Sequence, residues 1–402
     1  MVKITNFTPF ANLRFSNRNA AGKEFGVFMA KTALDIGMDG ECRFSSEQEP
    51  FVFTDTYHGD LNLSSVRYPS DFVPYKPHSE VIVDATAYAP GGKPATEWPV
   101  SIKVSDDLGI FVHHELRVTG PRKWTPTWLR ELSDGQKRDW RKFKPLFRGW
   151  ALSSPGPIRS LPIRYEHAFG GTIDKGFDDD GNPVLEAFQH NPIGCGLIDP
   201  EFTDHTKPVH APQILSRDTV LSDAHGQYAV EGLGPVPPAW LPRRPLGGTY
   251  DEHWIEHIWP NWAVDYDYRF HNSAPVGSQG ARYLEGSVRI ELQNLFPDRP
   301  DFSIRLPDEQ LVAMSLRDDE TVVPLKMVLD TVFLEISERD RNDPRIYCIW
   351  RTPYDMAVTE GLALLRCSSQ ELRRIKPVRV SPDEVACDPA LLDPDRDEEE
   401  AA

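Results

Sequence analysis

Apolar and polar positions alternate with a period of two at both ends of this chain, and that pattern predicts a mainly β protein. Phe25, Val27 and Met29 alternate, then Leu34, Ile36 and Met38 resume in the opposite phase, as a β-bulge between the two runs would produce. Asp39-Gly40 follows, with Cys42 and Phe44 beyond it, which is a tight-hairpin pattern because such turns need positive φ. Val81, Val83 and Ala85 lead into a turn at Ala89-Pro90-Gly91-Gly92. Ile102 and Val104, then Ile110 and Val112, flank Asp106-Asp107-Leu108-Gly109, and Leu116 and Val118 continue to Gly120. β signals return from Val288 through Phe302, Ile304 and Leu306, then Val332, Leu334 and Ile336, then Ile346, Cys348 and Trp350, with residues 338–344 turning between the last two. Repeated short strands at this spacing predict sandwich-like antiparallel sheets at both ends.

Between those ends the periodicity fails. Residues 155–275 hold 15 Pro, 12 Gly and 14 aromatic residues, too many rings for a disordered tract, so an ordered but irregular region packed on the β framework is expected. A short helix is predicted from Asp251 through Ile258, stopping before Pro260. Five regions follow: 1–125, N-terminal β; 126–154, a basic aromatic insertion; 155–275, the irregular middle; 276–353, C-terminal β; 354–402, a short helix and an acidic tail. The insertion carries Arg130, Lys137, Arg138, Arg141, Lys142, Lys144 and Arg148 among Trp128, Trp140, Phe143 and Trp150. The last helix is signalled by Ser368-Ser369-Gln370-Glu371, a capping box, and closed by Pro377; the tail from Asp388 reads as disordered.

Charge narrows the partners. With 44 Lys and Arg against 61 Asp and Glu, the net charge of −17 argues against nucleic-acid or anionic-membrane binding. The first residues lack a secretory apolar core and no run is long enough to span a bilayer. Cys42, Cys195, Cys348, Cys367 and Cys387 show no paired spacing, so free thiols and a cytoplasmic location are expected.

Candidate chemistry is sparse. His253 and His257 stand at i, i+4 and could face one metal, but no third ligand is evident. Cys195 near His190 would need spatial support to be a thiol nucleophile, and His114-Glu115 has Val118 where a zinc-protease motif needs its second His. Setting Gly181 at the sixth position of a calcium loop puts Gly176 and Ala187 where carboxylates belong. The segment 161–196 stands out instead: Arg164-Tyr165-Glu166-His167-Ala168-Phe169-Gly170-Gly171, an acidic loop, then Asn191-Pro192-Ile193-Gly194-Cys195-Gly196. Arg164, Tyr165 and Glu166 read as pinning residues and Gly170-Gly171 as a turn permitting close backbone packing.

These motifs have a known setting. Asn6-Phe7-Thr8-Pro9-Phe10, Tyr57-His58-Gly59-Asp60, the run from Ser64 to Pro77, Ala89-Pro90-Gly91-Gly92-Lys93-Pro94 and the 165–171 and 191–194 signatures occur in order. Gly248-Thr249-Tyr250-Asp251-Glu252-His253-Trp254, Asn272-Ser273-Ala274-Pro275 and Leu329-Asp330-Thr331-Val332 complete the series. From about residue 4 to 353 the chain resembles a bacterial family long catalogued as a domain of unknown function and encoded beside type VI secretion effectors and spike proteins. The resemblance implies a non-enzymatic cytosolic adaptor or chaperone that binds a secreted effector and helps load it on the spike protein. A metal-dependent hydrolase using His253 and His257, and a structural part of the secretion machine, are the alternatives. No catalytic residue, metal or cofactor is carried over. The expected platform residues are Arg67, Asp71, Tyr165, Glu166, Gly170, Gly171, Asn191, Pro192, Gly194, Tyr250 and Asp251.

Overall fold

The long strand Glu24–Ile36 shows how the framework is built. Its residues from Phe25 to Leu34 are buried without interruption, so both faces of the strand are covered. It pairs with Arg345–Tyr354 in unbroken antiparallel register, from Gly26 opposite Tyr354 to Asp35 opposite Arg345. The bulge expected between Met29 and Leu34 is therefore absent; the change of phase arises because a doubly covered strand is apolar on both faces. The Asp39-Gly40 turn is present, with Gly40 at φ +84° and Leu34 and Ile36 paired with Phe44 and Cys42.

The computed structural model describes residues 2–336 and 344–385. The turn expected at 338–344 and the acidic tail lie largely outside those residues. The fold is mainly β, with several antiparallel sheets, few short helices and no barrel among the described residues. One sheet runs Ala11–Arg18, Glu24–Ile36, Arg345–Tyr354, Val328–Glu335, Glu80–Asp84, with Cys42–Phe44 paired beside the end of Glu24–Ile36. A five-stranded sheet runs Ile214–Ser216, Gly109–Thr119, Glu97–Asp106, Arg289–Phe296, Arg299–Arg305. A four-stranded sheet runs Lys3–Asn6, Thr359–Cys367, Gln310–Arg317, Val322–Lys326. All three join strands from the two ends of the chain, so the terminal β regions form one framework.

Val83, Val332, Leu334, Ile346 and Trp350 of the first sheet share an apolar core with Val100, Ile102, Leu116, Ile290 and Ile304 of the second. Burying each such side chain contributes about 1.5–3 kcal/mol, which makes this contact the main source of stability. The basic aromatic insertion is a hairpin, Lys123–Trp128 paired with Phe147–Leu152, whose far end carries the short helix Asp134–Arg138. The boundary drawn at 125/126 falls inside its first strand. Cys42, Cys348 and Cys367 are buried free thiols, and Cys195 is half-buried.

The opposite face of the first sheet carries a small apolar cluster of Ala33, Ile82, Phe333 and Tyr347 and, beside it, a layer of buried charges. Lys31, Thr331 and Glu80 share one side of it, because Lys31 pairs with Ile349, Ile349 with Thr331, and Thr331 with Glu80. Lys31 meets Asp71 at 2.8 Å, Lys76 meets Glu80 at 2.5 Å and Thr331 at 2.7 Å, and Arg351 pairs with Asp330. Arg351 also donates to the Asp71 carbonyl at 3.0 Å, and Asn272, Ser273 and the Ala274 amide close over Glu80. Three cations face three carboxylates, all within 6% of full burial.

Breaking a buried pair leaves an uncompensated ion at a cost of about 3–5 kcal/mol, whereas replacing both partners by apolar groups is often neutral. Arg351→Ala is therefore expected to lower unfolding free energy by about 3–5 kcal/mol in urea titrations, and Asp330→Leu with Arg351→Met to recover most of it. Acid acts on the same layer. Burial pushes His271 down to about 3, and Arg243, Lys76 and Arg351 act in the same sense. Below about pH 6.5 the unfolded chain then binds a proton that the folded chain excludes, so this contribution to stability falls as pH drops from about 6.5 toward 3. His271→Gln should flatten the measured pH dependence between pH 6 and 5, by up to about 1.4 kcal/mol per pH unit.

Candidate functional site

Tyr165 and Glu166 sit in a 3-10 turn, Tyr165–His167, and point to different partners. The Tyr165 ring is buried edge-on against Trp240 at 5.4 Å, and its hydroxyl donates to the Gly234 carbonyl at 2.9 Å. Glu166 accepts from the Ser65 backbone amide at 3.0 Å and from the Ser65 hydroxyl. That hydroxyl in turn accepts from the Tyr165 amide at 2.9 Å. The two segments are locked to each other by three hydrogen bonds.

The second half of the signature closes on the first. Asn191 is fully buried, and its Nδ2 donates to the carbonyls of Tyr165 at 2.8 Å and Phe169 at 3.0 Å. Gly170 and Gly171 hold φ of +152° and +131°, which favours glycine, and a Cβ on Gly170 would stand 2.1 Å from the Asn191 carbonyl oxygen. Gly194 is equally tight, since its Cβ would lie 2.7 Å from the Ala168 carbonyl oxygen. The Pro192 carbonyl accepts from Thr172 at 3.1 Å. Phe188 N donates to the Gly171 carbonyl and Gly171 N to the Asn191 carbonyl, each at 2.9 Å. Tyr165, Glu166, Gly170, Gly171, Asn191, Pro192 and Gly194 thus lie together and clamp the base of one hairpin, Thr172–Phe177 paired with Pro183–Ala187.

Arg67 and Asp71 belong to a second centre. The segment from Ser65 to Asp71 runs from Glu166 to the charged sheet face like a strap. Arg67 meets Glu335 at 3.1 Å, Asp71 meets Lys31, and Asp71 also accepts from the Val52 amide at 2.8 Å. The Glu335 carboxylate further accepts from the Tyr68 and Tyr347 hydroxyls. Burial, and then Glu335 itself, raises the Tyr68 phenol above its usual range, and burial does the same for Tyr347, so both are neutral donors. These residues border an open cleft of about 590 Å³ whose apolar side is made by Phe51, Phe296 and Phe302. Glu335 and Tyr347 carry no local sequence signal. They lie in plain strand patterns and are assembled by register.

Tyr250 and Asp251 join neither centre. Asp251 caps the helix Glu252–His257 by accepting from Trp254 N at 3.0 Å, and half-exposed Tyr250 lies edge-on to Trp254 at 4.8 Å. His253 and His257 lie 4.8 Å apart, ring to ring, and no group of three or more metal-ligating side chains forms among the described residues. Burial pushes the Cys195 thiol up to about 11, which leaves little thiolate at neutral pH for nucleophilic attack.

Residues 21–351 match a family described as "Uncharacterized protein conserved in bacteria (DUF2169)". The chain belongs to that family. No curated protein and no solved structure matches it. The DUF2169 match takes in the basic hairpin at 126–150, which the motif series had skipped, and it ends on Arg351, the cation paired with Asp330. No helix among the described residues is long and apolar enough to cross a membrane.

The clamp makes a graded prediction. Asn191→Ala removes two buried hydrogen bonds, to the carbonyls of Tyr165 and Phe169, and is expected to cost about 2–4 kcal/mol in chemical denaturation. Gly170→Ala should be at least as severe, because backbone must move to admit the methyl group. Tyr250→Ala, at a half-exposed site outside both centres, is expected to change stability by less than about 1 kcal/mol.

Proposed function

We propose that this chain is a non-enzymatic cytosolic adaptor or chaperone that binds a secreted effector and helps load it onto the spike protein of a type VI secretion system. The ordered motif series supports the setting, and one structural observation supports the role. Ser65, Asp71, Lys76, Asn191, Asn272 and Asp330 of those motifs are buried and bonded within the protein, whereas large apolar side chains are exposed on segments beside them. Phe177 and Leu185 project from the hairpin above the clamp, and Ile255, Trp259 and Val264 project near the Tyr250–Trp254 pair. Grouped exposure of such side chains marks an interaction surface. A stiff β framework lowers the ordering cost of presenting it. The net charge of −17 suits a basic protein partner and disfavours nucleic acid.

The test is co-expression with the protein encoded by the neighbouring effector gene, followed by size-exclusion chromatography. Co-elution and a gain in effector solubility are expected; no complex and unchanged solubility would overturn the reading. Glu166→Ala is expected to lower thermal stability and effector binding together, because it releases the strap from the clamp. Binding lost at full stability would instead identify Glu166 as a direct contact.

A further inference from the structure

The hairpin Thr172–Phe177/Pro183–Ala187 is a two-stranded sheet that no other strand among the described residues extends. Its register separates two faces. Ile173 pairs with Glu186, and Lys175 on the same side makes an ion pair with Glu186 and lies over the Phe202 ring at 5.3 Å. On that side Ile173 and Lys175 are half-buried against the body of the protein, while Val184 and Glu186 stay exposed. On the other side, Thr172 pairs with Ala187 and Asp174 with Leu185, and a register shift beyond Asp174, with Gly176 at φ +92°, brings Phe177 to the same side opposite Pro183. Every residue of that side is exposed, Phe177 by 75% and Leu185 by 62%. The strands are joined by Asp178-Asp179-Asp180-Gly181-Asn182, so a bare face that carries Phe177, Pro183 and Leu185, with Asp174 beside them, ends in a run of three carboxylates.

We propose that this hairpin is a recognition arm for a basic protein partner. Its Phe177 and Leu185 face enters an apolar recess, and its acidic turn meets lysines or arginines at the rim. The assignment of the effector as that partner rests on the adaptor reading. Charge decides between the two protein occupants the face could take. A second copy of this chain would bring another acidic turn and another net charge of −17, which oppose close approach. A basic partner is drawn in by the same field. The clamp explains the investment in rigidity: Asn191, Gly170 and Gly171 fix the base, so the arm projects at a set angle and loses little freedom on binding.

The experiment uses the full chain as wild type, as Phe177→Ser/Leu185→Ser, and as Asp178→Asn/Asp179→Asn/Asp180→Asn, measured by biolayer interferometry. Two probes are used: the neighbouring effector protein, and an amphipathic Lys–Leu peptide with its Glu–Leu counterpart as control. The face variant is expected to weaken binding to both probes by about tenfold or more. The charge variant should weaken it less at high salt than at low salt. Thermal stability should be unchanged in the face variant, whose side chains are exposed, and slightly lower in the charge variant, because Asp178 accepts from the Asp180 and Asn182 amides. Face-variant binding equal to wild type with both probes would overturn the arm, while an effector complex would still uphold the adaptor reading. If wild type ignores the effector but binds the Lys–Leu peptide through the hairpin, the adaptor reading falls and the arm stands. A dimer in sedimentation that the face variant abolishes would make a second copy the occupant and overturn the assignment to a basic partner.

Discussion

Ions are buried in this protein on a sheet face that could have been apolar, and the placement of the loops depends on that. Removing a carboxylate or ammonium from water costs several kcal/mol unless its counter-ion and hydrogen bonds are in position. Lys31, Glu80 and Arg351 come from the framework strands, and Asp330 lies beside them in the same sheet. The segment leading from the strap must therefore bring Asp71 to Lys31 and Lys76 to Glu80. Once that segment is seated, Ser65 stands at Glu166, and the clamp around Asn191 has a fixed wall to build against. Order passes from the charged layer to the strap, from the strap to the clamp, and from the clamp to the hairpin it supports.

Function follows from where reactive groups end up. Glu166, Asp71 and Asp330, which the motifs supply, and Glu335, which they do not, all accept from protein donors and so hold the chain to itself. The surface has the opposite character. The net charge is −17, and its exposed apolar side chains include Phe177 and Leu185 on the hairpin above the clamp.

Much of the framework is legible from local pattern. The alternation in 97–119 corresponds to the hairpin Glu97–Asp106 and Gly109–Thr119, and the capping box at Ser368 and Glu371 is present in the helix Ser369–Ile375. Asp251 and Pro260 bracket the helix Glu252–His257 as their capping and breaking chemistry requires. The misreading at Met29 to Leu34 has a physical cause, because alternation reports one buried face and a central strand has two. The boundary at 125 fails for a related reason. Lys123–Trp128 is held by Phe147–Leu152, a partner that lies beyond any local window.

The sequence by itself determined many of the extended segments, the Asp39-Gly40 turn and the helix caps, which stretch must pack backbone against backbone, and the family of the chain, but not the strand Thr359–Cys367, which lies where only a helix and a tail were expected. Those properties depend on residues a few positions apart: a Gly that can take positive φ, a Ser three residues before a Glu, an apolar side chain at every second place. Only the tertiary structure decided which charge meets which. Lys31 and Asp71 are 40 residues apart, Ser65 and Glu166 101, and Lys76 and Thr331 255. It also decided which side of the 172–187 hairpin rests on Phe202 and which stays bare. Coulomb and hydrophobic terms act through space, and the chain carries no local mark of the neighbour that folding will supply.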